Sequence, residues 1–175
     1  MTLEIIKDTN STVFERAFEI YELSFPYDER RDRAEHERIM KHPDYRCALI
    51  MRCDELLGIA FYWELPELIF LEHLATHPEI RGQGIGSGAL ELLRKMGKTV
   101  ILEIEPPVDE LTYRRYGFYK RNGFTMNPHH HIQAKYHEGD SDLELKILTS
   151  PEIISDEKYR DFYSYMIKNV DVSSK

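Results

Sequence analysis

The sequence predicts a mixed α+β fold, in which a sheet carries helices on its faces. Three strand-like segments, Arg46–Met51, Leu56–Leu65 and Leu68–Thr76, follow one another with short turns, which is typical of an antiparallel meander. After Pro78 the apolar period becomes helical, and it returns to that of a strand at Thr99–Glu105. This strand-helix-strand unit requires a right-handed crossover if its two strands are parallel.

Ahead of the meander, the pattern predicts a short strand and two helices. The strand is Leu3–Lys7, and Asn10–Ser11 can cap a first helix whose apolar residues have helical spacing, namely Val13, Phe14, Ala17, Phe18, Ile20 and Tyr21. Phe25–Pro26 ends that helix. The segment Asp28–Lys41 is strongly charged and predicts a helix exposed to solvent.

The remainder of the chain predicts three helices and two strands. The crossover helix runs from Ile85 to Met96 and ends at Gly97. A second helix over Glu110–Asn122 ends at Gly123, and the strand Phe124–Met126 is expected to pair with Leu143–Leu148. A C-terminal helix over Asp156–Asn169 places four apolar or aromatic residues on one face, Tyr159, Phe162, Tyr163 and Met166.

Length and charge restrict the class of protein. The 175 residues fit a single domain over positions 1–175. A formal net charge of −8 argues against nucleic-acid binding and mildly favours a cationic substrate such as an amine. The sequence contains neither an apolar run of about 18 residues nor a signal-like N-terminus. With the separate thiols Cys47 and Cys53, it predicts a cytoplasmic protein without a membrane partner; a homodimer is left open.

The loop Arg81–Gly86 lies between a predicted strand and a predicted helix, and its residues suit a phosphate. A helix N-terminus exposes unpaired N–H groups, glycines let backbone approach an anion, and Arg81 and Ser87 add a charge and a hydroxyl. A pyrophosphate is the ligand that these features favour. The spacing fits neither G-x-G-x-x-G nor a P-loop, and from the glycines alone a connection without a ligand remains equally open.

Two stretches resemble the GNAT superfamily of N-acetyltransferases. Leu71–Gly86 resembles its cofactor motif, a strand and a His-Pro turn followed by Arg81-x-x-Gly84-x-Gly86. Phe118–Phe124 resembles its Leu-Tyr-x-x-x-Gly-Phe landmark at a helix end. More weakly, Gln133–Tyr136 is similar to a bacterial branch of these enzymes. The resemblance implies a central, mostly antiparallel twisted sheet with one splayed, parallel pair of strands, flanked by helices.

The resemblance also implies a cofactor and its contacts. Acetyl-CoA would be the co-substrate, with no metal, and its pantetheine arm would pair with the backbone of Leu74, Ala75 and Thr76 and enter between the splayed strands. The amides of Gln83, Gly84 and Gly86 would face the pyrophosphate. The cofactor-binding set implied is Leu74, Ala75, Thr76, Arg81, Gly82, Gln83, Gly84, Ile85, Gly86, Ser87 and Tyr119.

An amine that attacks the thioester directly requires a base for the ammonium and benefits from an acid for the leaving thiolate. Tyr119 occupies the family's general-acid position, and a tyrosine is protonated at neutral pH; packing under the cofactor is the alternative. Glu72 is the first candidate for the base, because a carboxylate on an otherwise apolar strand is costly unless it lines a site. Glu103 and Glu105 are its rivals, through water or by binding a cation.

Other polar residues have simpler interpretations. His73 and His77 are not expected to share a metal, since His77 falls at the turn that follows the strand. His129–His131 is interpreted as a polar loop with adventitious metal binding, and nucleophilic catalysis by Cys47 or Cys53 is disfavoured. The leading function is acetyl transfer to a small-molecule or peptide amine. The alternative is a non-catalytic acyl-CoA sensor or regulatory module, which would need the same phosphate loop.

Overall fold

A computed structural model describes residues 1–171 of the chain. These residues form two compact units, one over Met1–Val100 and a second that begins at Ile101. The expectation of one domain over positions 1–175 stays a prediction, and its last four residues lie outside the described part.

The first unit contains a four-stranded antiparallel meander. Its strands are β1 (Thr2–Ile5), β2 (Tyr45–Arg52), β3 (Glu55–Glu64) and β4 (Leu68–Thr76), and each pairs with the next along the chain. β2 and β3 are buried along almost their whole length, as expected for central strands covered on both faces.

β4 carries a bulge at its centre. Phe61 of β3 pairs with His73, and Tyr62 pairs with Leu71, so Glu72 has no residue opposite it. A bulge adds an unpaired residue and redirects its side chain. Beyond Glu72, β4 has His73 and Ala75 buried and Leu74 and Thr76 half-buried.

Three α-helices belong to the first unit: α1 (Thr12–Ser24), α2 (Arg33–Ile39) and α3 (Ile85–Arg94). α1 begins where predicted, because the Ser11 hydroxyl accepts the Phe14 N–H at 3.2 Å. The prediction of one solvent-exposed helix over Asp28–Lys41 is wrong in part. The segment forms a short 3₁₀ turn and the seven-residue α2, and it buries Arg31 and His36 completely.

The second unit begins within β5 (Thr99–Ile104) and continues with α4 (Glu110–Arg121), β6 (Thr125–Met126), β7 (His131–Ile132), β8 (Glu144–Ser150) and α5 (Asp156–Asn169). β8 pairs antiparallel with β6, as predicted, and also with β7. The expectation of a polar loop at His129–His131 is wrong for His131, which is buried in β7.

The predicted fold class, a mixed α+β fold with a mostly antiparallel sheet flanked by helices, is confirmed. β5 begins beside the first residues of β4, where the Thr99 N–H donates to the Glu67 carbonyl at 3.1 Å. Among residues 1–171, none of the helices combines the length and apolarity required to span a membrane.

Candidate active site

The loop between β4 and α3 presents an unfilled set of backbone donors. The His77-Pro78 turn closes through the Ile80 N–H, which donates to the His77 carbonyl at 3.1 Å. The first α3 amide with an acceptor is that of Gly88, bonded to the Gly84 carbonyl at 3.0 Å. Within the described residues, the N–H groups of Ile85, Gly86 and Ser87 have no hydrogen-bond acceptor. Unpaired amides in the first turn of a helix favour an anion.

Two glycines give the loop its shape. Gly82 has φ +81° and Gly84, the N-cap of α3, has φ +76°. Side-chain-bearing residues pay about 1–2 kcal/mol in this left-handed region, so the turn strongly favours glycine. A Cβ added at either position would meet no protein atom within 4 Å, and the space beside both glycines is therefore open. Arg81, Gly82, Gln83 and Gly84 are all exposed.

Glu72 is held by a buried ion pair. Its two carboxylate oxygens accept hydrogen bonds from the Arg31 guanidinium at 2.7 and 2.8 Å, and the Trp63 indole N–H donates to the same carboxylate at 3.3 Å. The exposed fraction of the side chain is 1% for Arg31 and 0% for Glu72. The carboxylate of Glu72 is therefore engaged by Arg31 through both oxygens and is not exposed to solvent.

The segment before α2 is fixed to α1 and to β4 by further polar contacts. The Tyr21 hydroxyl accepts the Arg31 backbone N–H at 2.9 Å. His73 Nε2 lies 2.9 Å from the Glu29 carbonyl, an acceptor only, so this nitrogen carries the hydrogen. Burial lowers the pKa of His73 to about 4, and the ring is neutral at physiological pH.

Glu103, on β5, lies in a second polar group. Its Oε1 is 2.5 Å from His131 Nε2, and His131 Nδ1 is 3.1 Å from the Tyr159 hydroxyl on α5. Glu103 Oε2 makes no hydrogen bond within residues 1–171, and the side chain is 11% exposed. Glu105, the other rival for the base, pairs instead with Arg115 of α4.

Tyr119 lies in the last turns of α4, half-buried against Phe118 and Phe124 with ring centroids 5.1 and 5.9 Å away. Burial raises its pKa to about 12, although the nearby Arg115 opposes the shift. Its hydroxyl donates to no group in the described part of the chain. Tyr119 is therefore a protonated phenol with a free O–H at neutral pH.

The structure thus brings the predicted residues together in two sets. β4, the loop and α3 carry Glu72, Leu74, Ala75, Thr76 and the residues Arg81–Ser87, whereas the second unit carries Glu103 and Tyr119. The sequence interpretation missed Arg31, His131 and Tyr159 as site residues. Of these three, only Tyr159 was indicated by the sequence, through its position on the aromatic face of the last helix.

Other polar clusters offer less chemistry. Among residues 1–171, no group of three or more His, Cys, Asp or Glu side chains is arranged to hold a metal ion. Cys47 is buried, which raises the pKa of its thiol, and Cys53 is an exposed turn residue.

Comparison with known proteins places this arrangement in a family. The profile of the Acetyltransferase (GNAT) family matches residues 13–124, more than half of the chain. YjbC, an acetyltransferase-like protein of Bacillus subtilis (strain 168), is 32% identical over 103 residues, which are 57% of this chain and 52% of YjbC. The chain therefore spans about half the length of this curated relative.

Solved structures share the fold. A GNAT-family protein of Bacteroides thetaiotaomicron has a TM-score of 0.88 and 27% identity, covering 95% of this chain and 96% of its own. A GNAT acetyltransferase of Elizabethkingia anophelis with acetyl-CoA bound has a TM-score of 0.58 and 13% identity, covering 85% and 95%.

Proposed function

The chain belongs to the acetyltransferase (GNAT) family, and we propose that it moves the acetyl group of acetyl-CoA to a primary amine by direct attack in a ternary complex. The observation that carries the proposal is the loop after β4. Two left-handed glycines lead into a helix whose first amides have no acceptor among residues 1–171, an arrangement that matches a pyrophosphate in charge and shape. The related Elizabethkingia fold, which holds acetyl-CoA, supports the choice of cofactor.

We propose that the loop after β4 binds the pyrophosphate of the cofactor and that the end of β4 binds its pantetheine arm. The amides of Gln83, Gly84 and Gly86, with those of Ile85 and Ser87, bind the pyrophosphate, while Gly82 keeps the approach open and Arg81 adds a charge. The backbone of Leu74, Ala75 and Thr76 pairs with the pantetheine arm as an added strand would. The half-buried state of Leu74 and Thr76 is consistent with this role.

Two groups divide the proton transfers. Tyr119 is the proposed acid, because its hydroxyl is protonated and free to donate. For the base, the geometry favours Glu103 over Glu72. One oxygen of Glu103 makes no hydrogen bond in the described part of the chain, whereas Glu72 has both oxygens bonded to Arg31. We assign Glu72 the role of fixing the segment before α2 to the bulge of β4.

The acceptor is proposed to be a small-molecule or peptide amine. The net charge of −8 attracts a cation and disfavours nucleic acid. A cytoplasmic location is proposed because Cys47 and Cys53 are both free thiols. We also propose that the protein forms a homodimer, which a measurement of its mass in solution by light scattering would test.

Release of free CoA thiol, measured with acetyl-CoA across a panel of amines, polyamines and peptides, tests the function. At least one acceptor should raise thiol release well above the rate without an amine, and mass spectrometry should find the N-acetyl product. Tight CoA binding without release by any amine would contradict the enzyme and favour an acyl-CoA sensor.

A further inference from the structure

The hydrogen bonds around His131 fix where its protons lie. The Tyr159 hydroxyl is 2.8 Å from the His130 carbonyl and 3.1 Å from His131 Nδ1. A phenol has one hydrogen, and a carbonyl can only accept. Both contacts are satisfied together only if Tyr159 donates to the carbonyl and His131 Nδ1–H donates to Tyr159. His131 therefore keeps a hydrogen on Nδ1.

The remaining ring nitrogen faces Glu103 at a distance that requires a proton. With Nδ1 protonated, Nε2 of a neutral ring has only a lone pair. It lies 2.5 Å from Glu103 Oε1, where two lone pairs would repel each other. A single proton between the two atoms, carried by either, turns this repulsion into a short, charge-assisted hydrogen bond.

From this geometry we propose that Glu103 and His131 act as one base, a dyad that holds one shared proton between Oε1 and Nε2 and accepts the next proton on Oε2 of Glu103. Tyr159 sets the tautomer of its histidine. The inference rests on the proposed acetyl transfer and names the group that serves it. Glu103 is assigned as the catalytic residue, because its Oε2 makes no hydrogen bond within residues 1–171 and is free to take a proton from the substrate. His131 and Tyr159 are assigned as positioning residues.

The proton steps balance. The ammonium N–H bond breaks, its electron pair stays on nitrogen, and its proton goes to Oε2 of Glu103, while the proton already shared by Oε1 and His131 Nε2 stays between them. The neutral amine then forms a C–N bond to the thioester carbonyl, and the C–S bond breaks. The second amine proton reaches the thiolate through Tyr119, and Oε2 of Glu103 returns the accepted proton to solvent. The sum is ammonium plus acetyl-CoA giving amide, CoA thiol and one proton.

The surroundings of the dyad are mainly aromatic. The Tyr159 ring stacks on His129 at 4.2 Å and on Tyr163 at 5.8 Å, and Tyr163 meets His131 edge-on at 5.4 Å. Other titratable groups close to the dyad or to these rings, any of which could influence a pH profile, are His130, Asp142, Glu144, Asp156 and Asp171. Burial raises the pKa of both tyrosines, and Glu103 adds to the shift, so Tyr159 remains a donor to the carbonyl.

The tyrosines of α5 provide a matched pair of variants. Tyr159→Phe removes the acceptor of Nδ1–H and keeps the stacked ring. Tyr163→Phe removes a hydroxyl one turn further on, which forms no hydrogen bond with His131. Glu103→Gln keeps the shape of the side chain but cannot hold the shared proton.

The first readout does not need activity. In protein labelled with ¹⁵N-histidine, His131, assigned by comparison with His131→Gln, should show a hydrogen on Nδ1 throughout the neutral range. The ¹H resonance of the hydrogen on His131 Nε2 should lie strongly downfield. Tyr159→Phe should shift the tautomer towards Nε2–H, and Tyr163→Phe should leave it unchanged. A wild-type ring protonated only on Nε2 would overturn the proposal.

The second readout is the pH profile of kcat/KM with the best acceptor from the amine panel. Glu103→Gln should lower kcat/KM by about 10²–10⁴-fold, and its pH profile should lack the rise in rate that reports deprotonation of the base. Tyr159→Phe should lower kcat/KM by about tenfold and shift the pH at which that rise occurs. Tyr163→Phe should have the kcat/KM and pH profile of the wild type. An active enzyme whose Tyr159→Phe profile is unchanged would refute the dyad and leave acetyl transfer standing. An inactive wild type with the expected nitrogen spectrum would refute acetyl transfer instead.

Discussion

Removing the charge of Glu72 is expected to destabilise the protein strongly, because Arg31 would remain buried without its partner. Glu72→Gln keeps the shape of the side chain, but its amide group would present hydrogens to a guanidinium that is itself only a donor. Both side chains of the pair are at most 1% exposed. Removing one partner of such a pair costs about 3–5 kcal/mol, a large part of the roughly 5–15 kcal/mol that stabilises an ordinary domain.

Urea unfolding measures this cost, and Trp63 provides the signal. It is the single tryptophan of the chain, and its indole N–H contacts Glu72. Because the probe is local, circular dichroism should be recorded in parallel. The double variant Arg31→Met with Glu72→Leu removes both charges and should recover most of the loss.

Glu64→Gln is the matched control. Glu64 also accepts from two cations, Arg46 at 3.0 Å and Lys98 at 3.1 Å, but it is 23% exposed. Solvent screens that cluster, and its loss should cost no more than about 1 kcal/mol. If Glu72→Gln shifts the urea midpoint no further than Glu64→Gln does, the ion pair is not what holds Glu72. A stable Glu72→Gln with a rate defect confined to low pH would return the base role to Glu72.

Three further predictions concern pH, the cofactor loop and the acid. Burial lowers the pKa of His36 from 6.5 to about 3, so the unfolded chain binds a proton below pH 6.5 that the folded protein does not. The free energy of unfolding should therefore fall as pH drops from 6.5, by about 2 kcal/mol at pH 5 from this residue; His36→Phe should remove that part of the slope in urea titrations, whereas an unchanged slope would contradict it. Gly84→Val should abolish CoA binding in calorimetry and Arg81→Ala should weaken it by about 1–3 kcal/mol, and unchanged affinity in Gly84→Val would show that the phosphate lies elsewhere. Tyr119→Phe should keep CoA affinity and lower turnover by about 10²–10⁴-fold, and full activity would mean that the thiolate leaves without an acid.

Local patterns were sufficient where one segment determines its own structure. β4 and α5 have the predicted bounds, Leu68–Thr76 and Asp156–Asn169, because each shows a sustained apolar period. The loop before α3 was predictable for the same reason, since glycines at a helix N-terminus are visible in sequence. The left-handed φ of Gly82 and Gly84 is the conformation that glycine adopts most easily.

The rest depends on pairings between distant residues. Arg31 and Glu72 are 41 positions apart, and nothing around Arg31 separates it from its exposed, charged neighbours. β7 has two residues, too few for a strand pattern, and three consecutive histidines resemble a polar loop. Glu103 was a candidate from its strand, but its histidine and tyrosine partners come from positions 28 and 56 residues further along the chain.

The fate of an isotopically labelled acetyl group tests the central claim most directly. The protein is mixed with one equivalent of ¹³C-acetyl-CoA and the best acceptor amine, and product and protein are both weighed by mass spectrometry. Direct attack in a ternary complex predicts that the label appears as the N-acetyl amine, with one CoA thiol released per label and none on the protein. Label retained on Cys47 or Cys53, or recovered only as free acetate, would contradict acetyl transfer by direct attack.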